Sequence, residues 1–130
     1  MESPLFYTHT ILNGKTVLRT LVNSGCQAYA TIKESTTRRL RLETLDIEPR
    51  QASGWTTESQ QEIVKVAYFK TDIGGIGERN AWAYVVPQQQ EDLILGRPWI
   101  KLEGANIDER KDWISFDWTT EKIYNETGPT

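Results

Sequence analysis

Residues 16–25 read TVLRTLVNSG and residues 92–100 read DLILGRPWI, and the fold turns on taking these two stretches together. The first is an apolar, β-branched run that ends in Asn23-Ser24-Gly25 and continues as CQAYATI. The second holds the short apolar run Leu93-Ile94-Leu95, of the kind a buried strand gives, stopped by Gly96. Pro98 then stands near the first position of about a turn and a half of helix, where its missing N–H costs nothing.

Outward from there, strand signals dominate. Residues 6–12 and 15–22 flank Asn13-Gly14, a pair suited to the type I′ turn because that turn needs positive φ at both central residues, so a hairpin is predicted over 5–22. Residues 28–32 read as a short strand. Thr31 and Glu34 then have capping-box spacing, which predicts a helix of two to three turns through about Leu42. Residues 43–59 are polar and irregular, with Pro49 and Gly54, and read as a mobile loop or hairpin tip. Residues 62–71 and 78–86 alternate, with Val64, Val66 and Tyr68 on one face and Trp82, Tyr84 and Val86 on the other strand, joined by Gly74-Gly75-Ile76-Gly77 as a second hairpin. Residues 105–108 and 112–117 form a last strand pair around Glu109-Arg110-Lys111, and the stretch from Thr119 to Thr130 has no clear period. One mostly-β domain over 1–118 with a C-terminal tail, 119–130, is the expected organisation.

Bulk properties narrow the function classes. A chain of 130 residues can bury roughly two-thirds of its unfolded surface, enough for a core without staples. A net charge of −3 gives no general attraction to nucleic acid, and the Arg38, Arg39, Arg41 cluster reads as a solvated helix face. Cys26 is the single cysteine, so no disulfide forms within the chain, and neither a metal site nor a cofactor is expected. No stretch approaches the ~18 apolar residues of a membrane span and MESPLFYTHT lacks a signal-peptide pattern, so the expected location is cytoplasmic or particle-internal, with no membrane partner.

The two stretches together resemble the active-site half of a retropepsin, the aspartic protease of retroviruses and Gypsy-type LTR retrotransposons, and the wider text DLILGRPWIKLEGANID looks most like the retrotransposon branch. The resemblance covers about residues 5–118 and implies a closed β-barrel with one or two short helices, working as a homodimer on a peptide or polyprotein substrate. In that family the triplet is Asp-Ser/Thr-Gly and the Asp carries the chemistry; here position 23 is Asn. An aspartic protease needs two carboxylates that share one proton, because like charges so close cannot both ionise. A single triplet in a chain this short implies that a two-fold axis supplies the second. The resemblance makes Asn23, Ser24 and Gly25 the catalytic-loop positions, with Ser24 bonding across the axis. It assigns substrate contacts to Gly25, Gln27, Ala28 and Ile94, and, in the flap that closes over substrate, to Gly54 and Trp55.

An amide keeps the shape of a carboxylate and the hydrogen bonds of the loop, but it takes no proton from water in the accessible pH range. Peptidase activity is therefore expected to be absent in this form and to appear in Asn23→Asp. The alternative is a catalytically dead, domesticated module that binds peptide or serves only to dimerise. An inactivated enzyme and a natural pseudoenzyme fit the substitution equally.

Other motifs carry blander readings. Cys26 with His9 lacks any cysteine-protease context and reads as a small buried hydrophobe. Gly74–Gly77 lacks a following helix and the Lys-Ser/Thr of a phosphate loop, so it reads as a turn. The Asn125-Glu126-Thr127 sequon reads as accidental without a signal peptide. Where retroviral members carry an acid that pairs with the Arg after the second Gly, Gln27 or Ala28 stands here, so Arg97 needs another partner, such as backbone carbonyls.

Overall fold

Asn13 (φ 51°) and Gly14 (φ 68°) both take positive φ, and the turn they make folds β1 (Phe6–Leu12) onto β2 (Thr16–Val22) as the sequence predicts. The computed structural model describes residues 5–52 and 61–126. The remaining elements, in chain order, are β3 (Ala30–Lys33), α1 (Glu34–Arg39), β4 (Glu43–Gln51), β5 (Glu62–Ile73), β6 (Glu78–Val86), β7 (Leu93–Leu95), α2 (Arg97–Leu102), β8 (Ala105–Asp108), β9 (Trp113–Phe116) and β10 (Thr119–Tyr124).

The strands of the main sheet run in the order β1-β2-β7-β3-β6-β5-β4, and a further β1–β5 pairing closes six of them into a barrel. β7 lies parallel to β2 and antiparallel to β3, so DLILG threads between the strands that lead into and out of the 23–29 loop. The strand β4 stays outside the closure, paired only with β5, as one arm of a projecting ribbon. A separate three-stranded sheet, β10-β9-β8, sends Ile114, Phe116 and Ile123 into the barrel core, where Trp99 of α2 meets Phe116 edge to face. The fold class is therefore the expected one: mostly β, with a closed barrel and two short helices.

The core explains several departures from the sequence reading. Inside the barrel lie Ala30, Ala67, Ala83, Phe69, Ile73 and Val85, while Val64 and Tyr68 are exposed and Tyr84 is half-buried on the outside. The alternation expected for β5 and β6 is present, and the face that carries Val64, Tyr68 and Tyr84 is the outward one. Thr31 does not cap α1: it belongs to β3, its hydroxyl donates to Gln89 Oε1 at 2.8 Å, and Lys33 is the N-cap with no side-chain cap bond. The helix ends at Arg39 rather than near Leu42. Residues 43–51, expected as irregular, form β4, while 53–60 lie outside the described residues.

Residues 119–124, expected as tail, form β10 and bury Ile123. Beyond it, Glu126 N–H donates to the Tyr7 carbonyl (2.8 Å), Tyr7 N–H to Asn125 Oδ1 (3.1 Å), and Glu126 Oε2 lies 2.8 Å from His9 Nδ1. The chain's last described residues are stitched to its first strand.

Candidate active site

The strand β2 delivers Asn23. Leu18, Thr20 and Val22 point into the barrel, so the period of two puts Leu21 and Asn23 on its outer face. Asn23 N–H donates to the Leu95 carbonyl (2.9 Å), extending the β2–β7 ladder by one rung. The Asn23 carbonyl accepts from Cys26 N–H (3.0 Å), and its side-chain Oδ1 accepts from Gly25 N–H (2.9 Å). That last bond is available to either an amide or a carboxylate oxygen, which is why the loop tolerates Asn in place of Asp. The chain turns sharply at Ser24-Gly25, closed by that Asn23–Cys26 bond, with Gly25 outside the left-handed region. Its glycine is explained by proximity: a Cβ there would sit 3.2 Å from Asn23 Oδ1.

The loop is held from behind by Gly96. Gly96 N–H donates to the Tyr29 carbonyl (2.9 Å) and Arg97 N–H to the Cys26 carbonyl (2.9 Å), so β7 and α2 grip the loop at both of its ends. A Cβ on residue 96 would overlap the Ala28 carbonyl oxygen and approach that of Cys26 to 2.9 Å. The close backbone approach requires glycine. Arg97 takes part through this N–H, its side chain is exposed, and among the described residues it forms no ion pair.

Around Asn23 the outer face carries one row of side chains in register across all seven strands: Tyr7, Leu21, Ile94, Thr31, Tyr84, Val66 and Leu45. Leu21, Cys26, Ala28 and Ile94 form a small apolar cluster there, with Tyr7 and Tyr84 packed against it. Tyr84 also packs on a second cluster at the root of the ribbon, Ala52, Ile63 and Val86 with Ile47. Of the residues expected to contact substrate, Gly25 and Gln27 are exposed, whereas Ala28 (3%) and Ile94 (5%) are buried as the floor under the loop. Gly54 and Trp55 lie outside the described residues. Ser24 turns the other way, into a cleft of about 200 Å³ lined by Leu5, Phe6, Val22, Ile107 and Asp112 among others.

Sequence reading missed three groups here. Arg50 of β4 donates from Nη1 to the Tyr84 hydroxyl (3.0 Å), with its guanidinium 5.3 Å from that ring's centroid. Gln89 is buried and accepts from the Thr31 hydroxyl (2.8 Å) while donating to the Glu91 carbonyl (2.8 Å), which fixes the turn before β7. Gln61 and Gln88 bond reciprocally, Nε2 to carbonyl at 2.7 Å and N–H to Oε1 at 2.6 Å, tying the ribbon root to the same turn. None stands in a motif; β-strand register brings them together. Burial pushes the Cys26 thiol pKa up, opposed in part by the Ala28 backbone, which makes it a poor nucleophile. His9 is engaged by Glu126 instead. Among the described residues no three His, Cys, Asp or Glu side chains could hold a metal ion, and no helix is long and apolar enough to cross a membrane.

No protein-family model and no curated protein matches the sequence. Solved structures do match. The chain is similar to the retroviral protease-like domain of Ddi1 from Leishmania major, at 20% identity over 95% of this chain and 95% of that one, with a TM-score of 0.70. A foamy viral protease-reverse transcriptase also aligns, at 18% identity over 84% of this chain and 16% of that one, with a TM-score of 0.49. Six closed strands, a β7 threaded behind the Asn-Ser-Gly loop and this likeness give the chain a retropepsin-like fold.

Proposed function

We propose that this chain is the protease domain of a Gypsy-type retrotransposon polyprotein, built as one half of an aspartic endopeptidase site, and that in the form with Asn23 it binds extended peptide without cleaving it. The observation that carries the reading is the lodging of residue 23: backbone bonds to Leu95 and Cys26 and a bond from Gly25 N–H to its Oδ1 hold the side chain at the end of β2, on the face bearing the outer row. One such loop offers one such side chain. A second copy, joined through the surface that includes Ser24, supplies the other. With Asp at both positions the pair shares a proton, one carboxylate drawing a proton from water while the other protonates the peptide carbonyl. With two amides the first step lacks a proton acceptor and the second a proton donor. Recognition survives, because an extended peptide is held by backbone hydrogen bonds and side-chain pockets.

The test is Asn23→Asp, assayed on a peptide library and on the chain's own ends. Cleavage strongest at mildly acid pH is expected, together with a homodimer in sedimentation whose Asn form is at least as tight as the Asp form. A folded, dimeric Asp form that cleaves nothing would sink the protease reading and leave a dimerising or peptide-binding module. A strictly monomeric chain would sink both.

A further inference from the structure

Among the described residues three arginines stack on an aromatic ring, Arg19 on Tyr7, Arg50 on Tyr84 and Arg79 on Trp118, and the last two differ. Arg79 lies 4.6 Å from the Trp118 ring centroid and bonds Glu103 through both carboxylate oxygens, at 2.9 and 3.4 Å. Ring, guanidinium and carboxylate there make a complete set. Arg50 lies over Tyr84 in the same manner, with one N–H spent on the phenol oxygen, yet none of the four ion pairs among the described residues includes it. Among the described residues, the acids that flank Arg50 in sequence or by strand pairing, Glu48 and Glu62, are both exposed and form no ion pair with it.

From this we infer that Arg50 selects peptides bearing an acidic side chain at the position that falls on Tyr84; the inference rests on the peptide-binding reading above. Three features support it. The phenol bond and the ring fix the plane of the guanidinium, so its remaining N–H groups form a pre-oriented fork suited to a carboxylate. Tyr84 stands in register with Thr31, which in turn pairs with Ile94, so the fork lies along the same outer row as the floor of the site. Tyr84 also joins the two apolar clusters, so the ring beneath Arg50 is held by packing on both sides. An extended peptide lying over the 23–29 loop, whose floor includes the buried Ile94, meets a cation two strands further along the sheet.

The inference is tested by selecting a random-peptide display library on the Asn23 chain and by profiling cleavage sites with Asn23→Asp, each repeated with Arg50→Gln and Arg50→Glu. Circular dichroism confirms that every variant is folded. Expected is enrichment of Asp or Glu at one peptide position, reduced about fivefold by Arg50→Gln, as suits an exposed ion pair. Arg50→Glu should turn the preference toward Lys or Arg, and added salt should weaken both preferences. Binding or cleavage with no acidic preference, or with one that Arg50→Gln leaves unchanged, overturns the inference while the protease reading stands. Arg50-dependent acidic selection without cleavage by Asn23→Asp keeps the inference and removes the protease reading. A folded chain that neither binds nor cleaves overturns both.

Discussion

The 23–29 loop and the strand β4 are built on opposite principles. The loop is gripped by main chain: Asn23 to Leu95, Tyr29 to Gly96 and Cys26 to Arg97, over a floor of Leu21, Cys26, Ala28 and Ile94. The strand β4 is exposed at eight of its nine positions, pairs only with β5, and touches β6 through Ile47 and Arg50. The loop side gains position from backbone contacts that no side-chain change can imitate. The ribbon side contributes exchangeable side chains, Arg50 foremost, at little cost to the core. The proposed function puts chemistry on the first and selectivity on the second.

The strongest way to break this contrast is Gly96→Ala. The added methyl falls on the Ala28 carbonyl, a main-chain atom with β7 behind it, so the loop or the strand must move. A loss of about 3 kcal/mol or more is expected in urea unfolding, at the upper end for overpacking. Loss of any catalytic gain in the Asn23→Asp background should accompany it. A variant of unchanged stability would show that the grip is not rigid.

A paired substitution sharpens the contrast. Leu93 is fully buried in the barrel core and Val64, on the ribbon, is 41% exposed. Leu93→Ala should cost about 2–5 kcal/mol and Val64→Ala no more than about 0.5 kcal/mol by the same thermal or urea measurement. Comparable losses would mean that the ribbon is part of the core after all.

The same contrast decides what was legible in the sequence. Asn13-Gly14, Gly96 and Pro98 announce themselves because each answers a local backbone demand: positive φ, close approach, a helix start. The Asn23-Ser24-Gly25 loop was located by its resemblance to a family triplet, whereas Ile94, expected against substrate, lies buried beneath that loop. The strand β4 was not legible, because a strand exposed on both faces has no alternation to display. The alternation of β5 and β6 was legible but not which face turns inward: the interior takes Ala67, Phe69 and Ala83, while Tyr84 and Val86 pack in a cluster outside. Thr31 imitated a helix cap because its distant partner, Gln89, lies 58 residues on. Arg50 and Tyr84 were invisible for a related reason: only the β4–β5–β6 register brings them together.

The smallest effect lies at the hinge between the two constructions, where α1 turns into β4. Arg41 takes φ 53° as the residue after the C-cap Leu40, with its N–H donating to the Arg38 carbonyl (3.2 Å) and Leu42 N–H reaching back to Thr37 (3.1 Å). This is the Schellman arrangement, in which glycine is the common occupant because it has no Cβ to strain. Arg41 is exposed and forms no ion pair among the described residues, so nothing in the packing offsets the strained φ. Arg41→Gly should relieve the strain and lose some through the freer unfolded chain, for a net gain of about 0.5 kcal/mol. Thermal melts of the two forms would register it as a rise of a few degrees. A fall instead would mean that the Arg41 side chain supports the ribbon, and that the ribbon is held by more than its pairing with β5 and its contacts with β6.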